Sequence, residues 1–275
     1  MKRAFVALFF VCLVLSSCSD RRSSARAGVE SDTAEVAVAD SLQTGITDAV
    51  MPEGADELFD DFFFNYAASL TQQQERTVFP LPLVKEGATT RITKKQWHME
   101  RFFMKEDSYT LIFDSPHQLD LLTDTMVSDV VVERFMDEKN MAEQFFFSRK
   151  SGRWMLHEIR YQSLMQNANA QFLKFYHQFA SDSLFQHHSL AEQINFSGQD
   201  PDDDFSTIDG VITPEFWDGF KPDLPNRILY NIVYGHQDPT SMQKILLLRG
   251  IANGWEVELT FKLQKGHWKL TRLST

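Results

Sequence analysis

The same succession of signals occurs twice along the chain, and this duplication constrains the fold more than any other feature of the sequence. Phe59, Phe62 and Ala67 recur as Phe172, Phe175 and Ala180 at an offset of 113 residues. Thr93 and Trp97 recur as Thr213 and Trp217 at an offset of 120, and Ile112 recurs as Ile232 at the same offset. His117-Gln118 returns as His236-Gln237 at 119, and Phe147, Gly152, Trp154 and Leu156 return as Phe261, Gly266, Trp268 and Leu270 at 114. The identities are sparse but keep their order, and four of the five tryptophans fall into matched pairs. Small changes of offset fit insertions and deletions in loops, so two similar units are expected.

Within each half the hydrophobic period changes from helix to strand. Phe59, Phe62, Phe63, Tyr66, Ala67 and Leu70 are spaced by three and four, one apolar helix face, with Asp56 as its N-cap. Phe172, Phe175, Tyr176, Phe179 and Ala180 mark a second such helix near 168–184. Strand-like runs follow at 108–113, 129–135, 142–149 and 153–161, and again at 227–234, 243–249, 255–263 and 267–273. The final pair in each half reads as a hairpin. Phe145 and Phe147, like Leu259 and Phe261, alternate on one strand, and Trp154 and Leu156, like Trp268 and Leu270, alternate on the return. Lys150-Ser151-Gly152 and Gln264-Lys265-Gly266 are three-residue connections ending in glycine, suited to a type I turn followed by a left-handed residue. Each half thus reads as one aromatic helix, a short helical or loop segment around the Thr-to-Trp motif, and four mostly antiparallel strands. The helix has to bury its face, and a curved sheet is the natural partner.

This order resembles the nuclear-transport-factor-2-like (NTF2-like) superfamily, in which a helix sits in the cup of a bent sheet. The resemblance covers residues 56–275 as two copies. It implies an α+β fold of two tandem NTF2-like (cystatin-like cone) repeats, at 55–164 and 165–275. The whole layout resembles a family of Bacteroidetes lipoproteins, a domain of unknown function. The short second and third helices usual in the superfamily are poorly defined in this sequence. A single α+β domain with a coincidental duplication signal is the competing fold.

The N-terminus carries a different message. Lys2 and Arg3 precede an apolar run from Ala4 to Leu15, too short for the roughly 20 residues that span a bilayer. Leu15-Ser16-Ser17-Cys18 resembles the lipobox of bacterial lipoproteins. That resemblance implies a signal peptide at 1–17, cleavage before Cys18, and diacylglycerol and fatty acyl groups such as palmitate at that cysteine. The expected location is the cell envelope at the outer membrane, on its periplasmic or surface face, with the membrane as partner. Residues 18–54 are small, polar and weakly patterned, a flexible tether reaching about 30–35 Å. Cys12 leaves with the signal and Cys18 takes the lipid, which excludes disulfides, a cysteine nucleophile and cysteine-containing zinc sites in the mature domain. Removing Lys2 and Arg3 takes the formal charge from −11 to −13, a balance that argues against nucleic acid and against a polybasic grip on lipid.

No catalytic motif emerges. Enzymes of the resembled superfamily use an Asp or His facing into the cup, and Asp114, His117, His157, His236 and Glu258 are the candidates here, none matching a superfamily motif. His117 and His236 stand out because each half places His-Gln just after a strand. They read either as a repeated ligand contact or as retained turn residues. Phe63 and Tyr176, on the aromatic helix faces, are candidate ligand-lining residues or core. Asp200, Asp202 and Asp204 suggest a calcium loop, but Phe205 and Val211 occupy the positions of its glycine and glutamate. His187-His188 lacks the i, i+4 spacing of a metal pair. No metal or other cofactor is expected. The preferred reading is a non-catalytic lipoprotein that binds a small molecule or an envelope protein. The alternative is a small-molecule isomerase, dehydratase or hydrolase with one acid or base in one cup.

Overall fold

The computed structural model describes residues 56–103, 106–136, 139–200, 203–251 and 253–275. Cys18, the lipobox and the tether lie outside the described residues. Helix α1 (Phe59–Ala68) turns Phe59, Phe62, Phe63 and Tyr66 inward, and Asp60 and Asp61 in its first turn complement the helix dipole. The short helix α2 (Leu70–Glu75) follows, with the Ser69 hydroxyl accepting from Gln72 N. Helix α3 (Ala170–Ser181) buries Phe172, Phe175, Tyr176 and Phe179, and α4 (Ser183–His188) follows it, capped by Asp182.

Asp56 is not the N-cap of α1; Leu58 holds that position, without a side-chain cap bond. The Asp56 carboxylate instead pairs with Arg76 through two bonds of 2.8 Å and accepts from Trp154 N at 3.0 Å. A buried guanidinium attracts a carboxylate more strongly than the end of a helix does. Burial pushes the Asp56 carboxyl up, but the bonds to Arg76 and to the Trp154 N–H outweigh it and hold the group below its ordinary value. Such a group stabilises the fold above its unfolded-state pKa of about 3.9 and loses that contribution as pH falls through the lower folded-state value. Asp56→Asn should lower the urea midpoint at neutral pH, and the deficit should vanish in strong acid. A deficit of the same size at both ends would remove the ion pair as its cause.

All twelve described strands form one large curved mixed sheet in the order β2-β1-β6-β5-β4-β9-β3-β10-β11-β12-β7-β8. In the first half these are β1 (Leu81–Lys85), β2 (Ala88–Ile92), β3 (Ser108–Phe113), β4 (Asp129–Met136), β5 (Met141–Lys150) and β6 (Arg153–Ser163). In the second they are β7 (Leu190–Asp200), β8 (Asp203–Ile212), β9 (Ile228–Tyr234), β10 (Gln243–Gly250), β11 (Glu256–Gln264) and β12 (His267–Ser274). The eight strands expected from the sequence are present within two residues at each end. The hairpins β1–β2 and β7–β8 are additional; each is antiparallel internally and parallel to the last strand of its half. The order reads alike from both ends, with one exchange at the centre. β4 pairs with β9, β10 pairs with β3, and β3 and β9 meet as parallel neighbours.

The connections after β5 and β11 are two residues long, not three. Ser151 and Gly152 lie at φ 50 and 79, and Lys265 and Gly266 at φ 50 and 80. Positive φ at both central residues belongs to a type I′ turn, whose twist matches the flanking strands.

Alternation along the strands divides the apolar residues between two cores. Ile245 and Leu247 of β10 join the core that contains α1, while Leu246 and Leu248 join the one that contains α3. Successive residues of a strand face opposite sides, so the two helices cover opposite faces of the shared sheet. Each half has its own matching Trp–Gln bond. Trp97 Nε1 donates to Gln73 Oε1 at 3.3 Å in the first half, and Trp217 Nε1 donates to Gln186 Oε1 at 2.9 Å in the second. No described helix is long and apolar enough to cross a membrane.

Candidate functional site

Where a helix lies across a sheet, the flank beside its buried stripe meets the strand ends obliquely and leaves space. On α3 that flank carries Ala170, Leu173 and His177, facing Phe135 at the end of β4 and Leu229 at the start of β9. The space between them is a cleft of about 400 Å³. Its floor is apolar, and its rim includes Asn140, Lys174, Asn226 and Arg227. The candidate Tyr176 lines this cleft while 3% exposed, and its hydroxyl donates to the Pro225 carbonyl at 3.0 Å, tying the far wall to the helix.

A second cleft, of about 370 Å³, occupies the corresponding place beside α1. The strand registers establish the correspondence: Phe135 faces Leu229 across β4 and β9, and Arg249 faces Tyr109 across β10 and β3. Here the floor is charged. Asp60 accepts from Tyr234 Oη at 2.7 Å and from Arg249 Nη1 at 3.0 Å, and Arg249 Nε donates to Glu256 at 2.7 Å. Burial raises the Asp60 carboxyl above its ordinary value against the pull of Tyr234 and Arg249. Burial likewise pushes the Tyr109 hydroxyl up to about 12. Half-exposed Phe64 and Trp255 flank the opening.

The remaining sequence candidates are dispersed. Phe63 is 1% exposed, stacked on Phe59 at 5.3 Å and edge-on to Phe147 at 5.7 Å, so it belongs to the core of the first half. His117 and His236 are exposed, and it is their glutamine neighbours that hold structure. Gln118 accepts from Asp114 N at 2.6 Å and donates to the His236 carbonyl at 2.8 Å. Gln237 donates to the Ile112 carbonyl at 3.2 Å and accepts from Asn169 at 2.9 Å. Asp114 pairs with Lys244, whose ammonium, 3% exposed with its side chain, also donates to Asn169 Oδ1 at 2.6 Å. His157 lies beside the Phe146 ring at 6.4 Å, and burial lowers its pKa. Glu258 lines a third cleft, of about 410 Å³, on the face of β10–β12 turned away from α3.

Asp200 accepts from Ser206 at 3.2 Å within the β7–β8 hairpin, and Asp202 lies outside the described residues. No group of three or more metal-ligating side chains occurs among the described residues. His187 reaches Asp218 at 3.3 Å. Sequence reasoning missed Glu133, which is 2% exposed and accepts from Gln144 at 2.8 Å, Asn167 at 2.7 Å and Asn231 at 3.0 Å. Burial raises its pKa. An acid between Val131 and Phe135 on one face of β4 was the available signal.

A family model described as a domain of unknown function, DUF4348, matches residues 38–275. Among solved structures, the chain is similar to an NTF2-like protein from Bacteroides fragilis, at 38% identity and a TM-score of 0.75, over 81% of this chain and 97% of that one. No match was found among curated proteins.

Proposed function

Because the chain belongs to the DUF4348 family of domains of unknown function and has an NTF2-like fold, we propose that it is a non-catalytic, lipid-anchored binding protein of the cell envelope. Its proposed ligand is an apolar small molecule held beside α3. One observation carries this reading: the cleft of about 400 Å³ between α3 and the ends of β4 and β9, lined by Phe135, Leu164, Leu173, Tyr176 and Leu229 with the half-buried His177 among them and exposed amides and cations around them. Its size and lining are those of a small-molecule site, in which buried apolar area supplies affinity and a few polar groups fix orientation. Asp114 is paired with Lys244, His117 and His236 are exposed, and Glu258 lines a different cleft, which supports a non-catalytic reading.

The halves at 55–164 and 165–275 read as tandem NTF2-like repeats that exchange β3 and β9. The matching Gln–Trp bonds, the two aromatic helices at an offset of 113 and the symmetric strand order support this. Lipid on Cys18 and export to the envelope rest on the lipobox.

A neutral fluorescent probe, N-phenyl-1-naphthylamine, tests the binding reading. Saturable binding is expected, and Leu173→Trp, which fills the cleft, should abolish it. His117→Ala and His236→Ala should leave it nearly unchanged. Undiminished binding in a folded Leu173→Trp protein would count against this cleft.

A further inference from the structure

We infer that the cleft beside α1 is a second binding site, and that it takes a neutral saccharide. Two charged residues line this cleft, Arg249 and Glu256, and a third, Asp60, is bonded to Arg249. At the matching positions beside α3 stand Leu173, Phe135 and Ala142, displaced by 113 residues in the helix and 114 in the strands. One cleft is therefore apolar where the other holds a connected charge cluster, and the two sites select different chemistry.

The cluster is built rather than incidental. Asp60, mostly buried and bound by the Tyr234 hydroxyl, fixes Arg249 from below, and Glu256 fixes it from the side. Arg249 then presents donors, and Glu256, with a side chain 49% exposed, presents an acceptor, both at the same opening. Phe64 and Trp255, 37% and 39% exposed, leave aromatic faces beside them. Gly250 and Gly254 line the same opening and add no side chain to obstruct it.

Elimination gives the ligand class. An apolar ring would strip water from Arg249 and Glu256 without replacing their hydrogen bonds. A cation meets Arg249, and an anion meets Glu256 and Asp60. A neutral polyol avoids both conflicts, because each hydroxyl both donates and accepts. Of neutral polyols, a sugar ring also has a C–H face that packs against an aromatic side chain, which suits Trp255 and Phe64. Fixed partners also lower the ordering cost of binding.

The test is titration of the protein with neutral α- and β-linked glucose hexasaccharides, followed by calorimetry and by tryptophan fluorescence. Saturable binding of at least one is expected. Trp255→Ala should weaken it by about tenfold or more, as should Glu256→Ala, with Glu256→Gln retaining most of it. Trp255 is a surface residue, so its variant should keep the wild-type melting temperature. Leu173→Trp should leave saccharide binding intact while removing the apolar probe, which separates this site from the one beside α3. Absence of binding to either hexasaccharide at millimolar concentration overturns the inference. So does binding that survives Trp255→Ala unchanged.

Discussion

Truncating Trp154 to alanine should cost about 3–5 kcal/mol of stability, a large part of what a folded domain has to lose. The indole is fully buried, edge-on to Phe59 at 5.1 Å and stacked near Phe62 at 6.4 Å, with the Arg149 guanidinium 5.0 Å from its ring centre. Removing it opens a cavity among rings that their own neighbours hold in place. Its N–H is buried with no hydrogen-bond partner among the described residues, so Trp154→Phe forfeits area but no bond and should cost much less. Trp268, packed on Phe172 at 5.5 Å and 9% exposed, should follow at the lower end of the range. Both losses should appear in one cooperative urea transition. β9 of the second half completes the sheet beside β4, and β3 of the first completes it beside β10, so neither core opens without stripping a strand from the other. Two separate transitions, or a Trp154→Ala cost below about 1 kcal/mol, would contradict this account.

What could be read in advance follows from how strongly burial constrains each segment. The eight expected strands have one or both faces packed, and packing writes alternation or an apolar run into the sequence; β3, buried at five of its six residues, was found at its observed bounds. β1, β2, β7 and β8 were not found, because the hairpins they form lie at the sheet ends. β2 is exposed at four of five positions, and β7 buries only scattered residues, so neither has a period to read. The exchange of β3 and β9 was not legible either, since the two pairings present the same inward residues. Of the binding residues, Tyr176 was accessible through helical spacing, although spacing alone did not separate it from Phe63. One residue sits at the edge of its helix stripe and the other at the centre of a ring cluster. The charge cluster of the second cleft joins residues 60, 234, 249 and 256, and only the fold brings them together.

The remaining prediction concerns where these clefts operate. With its own N-terminus, in a bacterium that processes lipoproteins, the protein should incorporate labelled fatty acid and partition into detergent, and Cys18→Ala should abolish both. A thioether requires a thiol, and after cleavage before Cys18 the mature chain contains no other, since Cys12 leaves with the leader. The run from Ala4 to Leu15 falls well short of the roughly 20 residues that span a bilayer. Cleavage before Cys18 would remove Lys2 and Arg3 and take the formal charge from −11 to −13, which would oppose adsorption to anionic headgroups. Cys12→Ala provides the internal control, because a residue of the apolar run contributes hydrophobicity and no chemistry; labelling should persist there. Labelling that survives Cys18→Ala, or that is lost in Cys12→Ala with export intact, would place the lipid elsewhere and remove the tether from the functional reading.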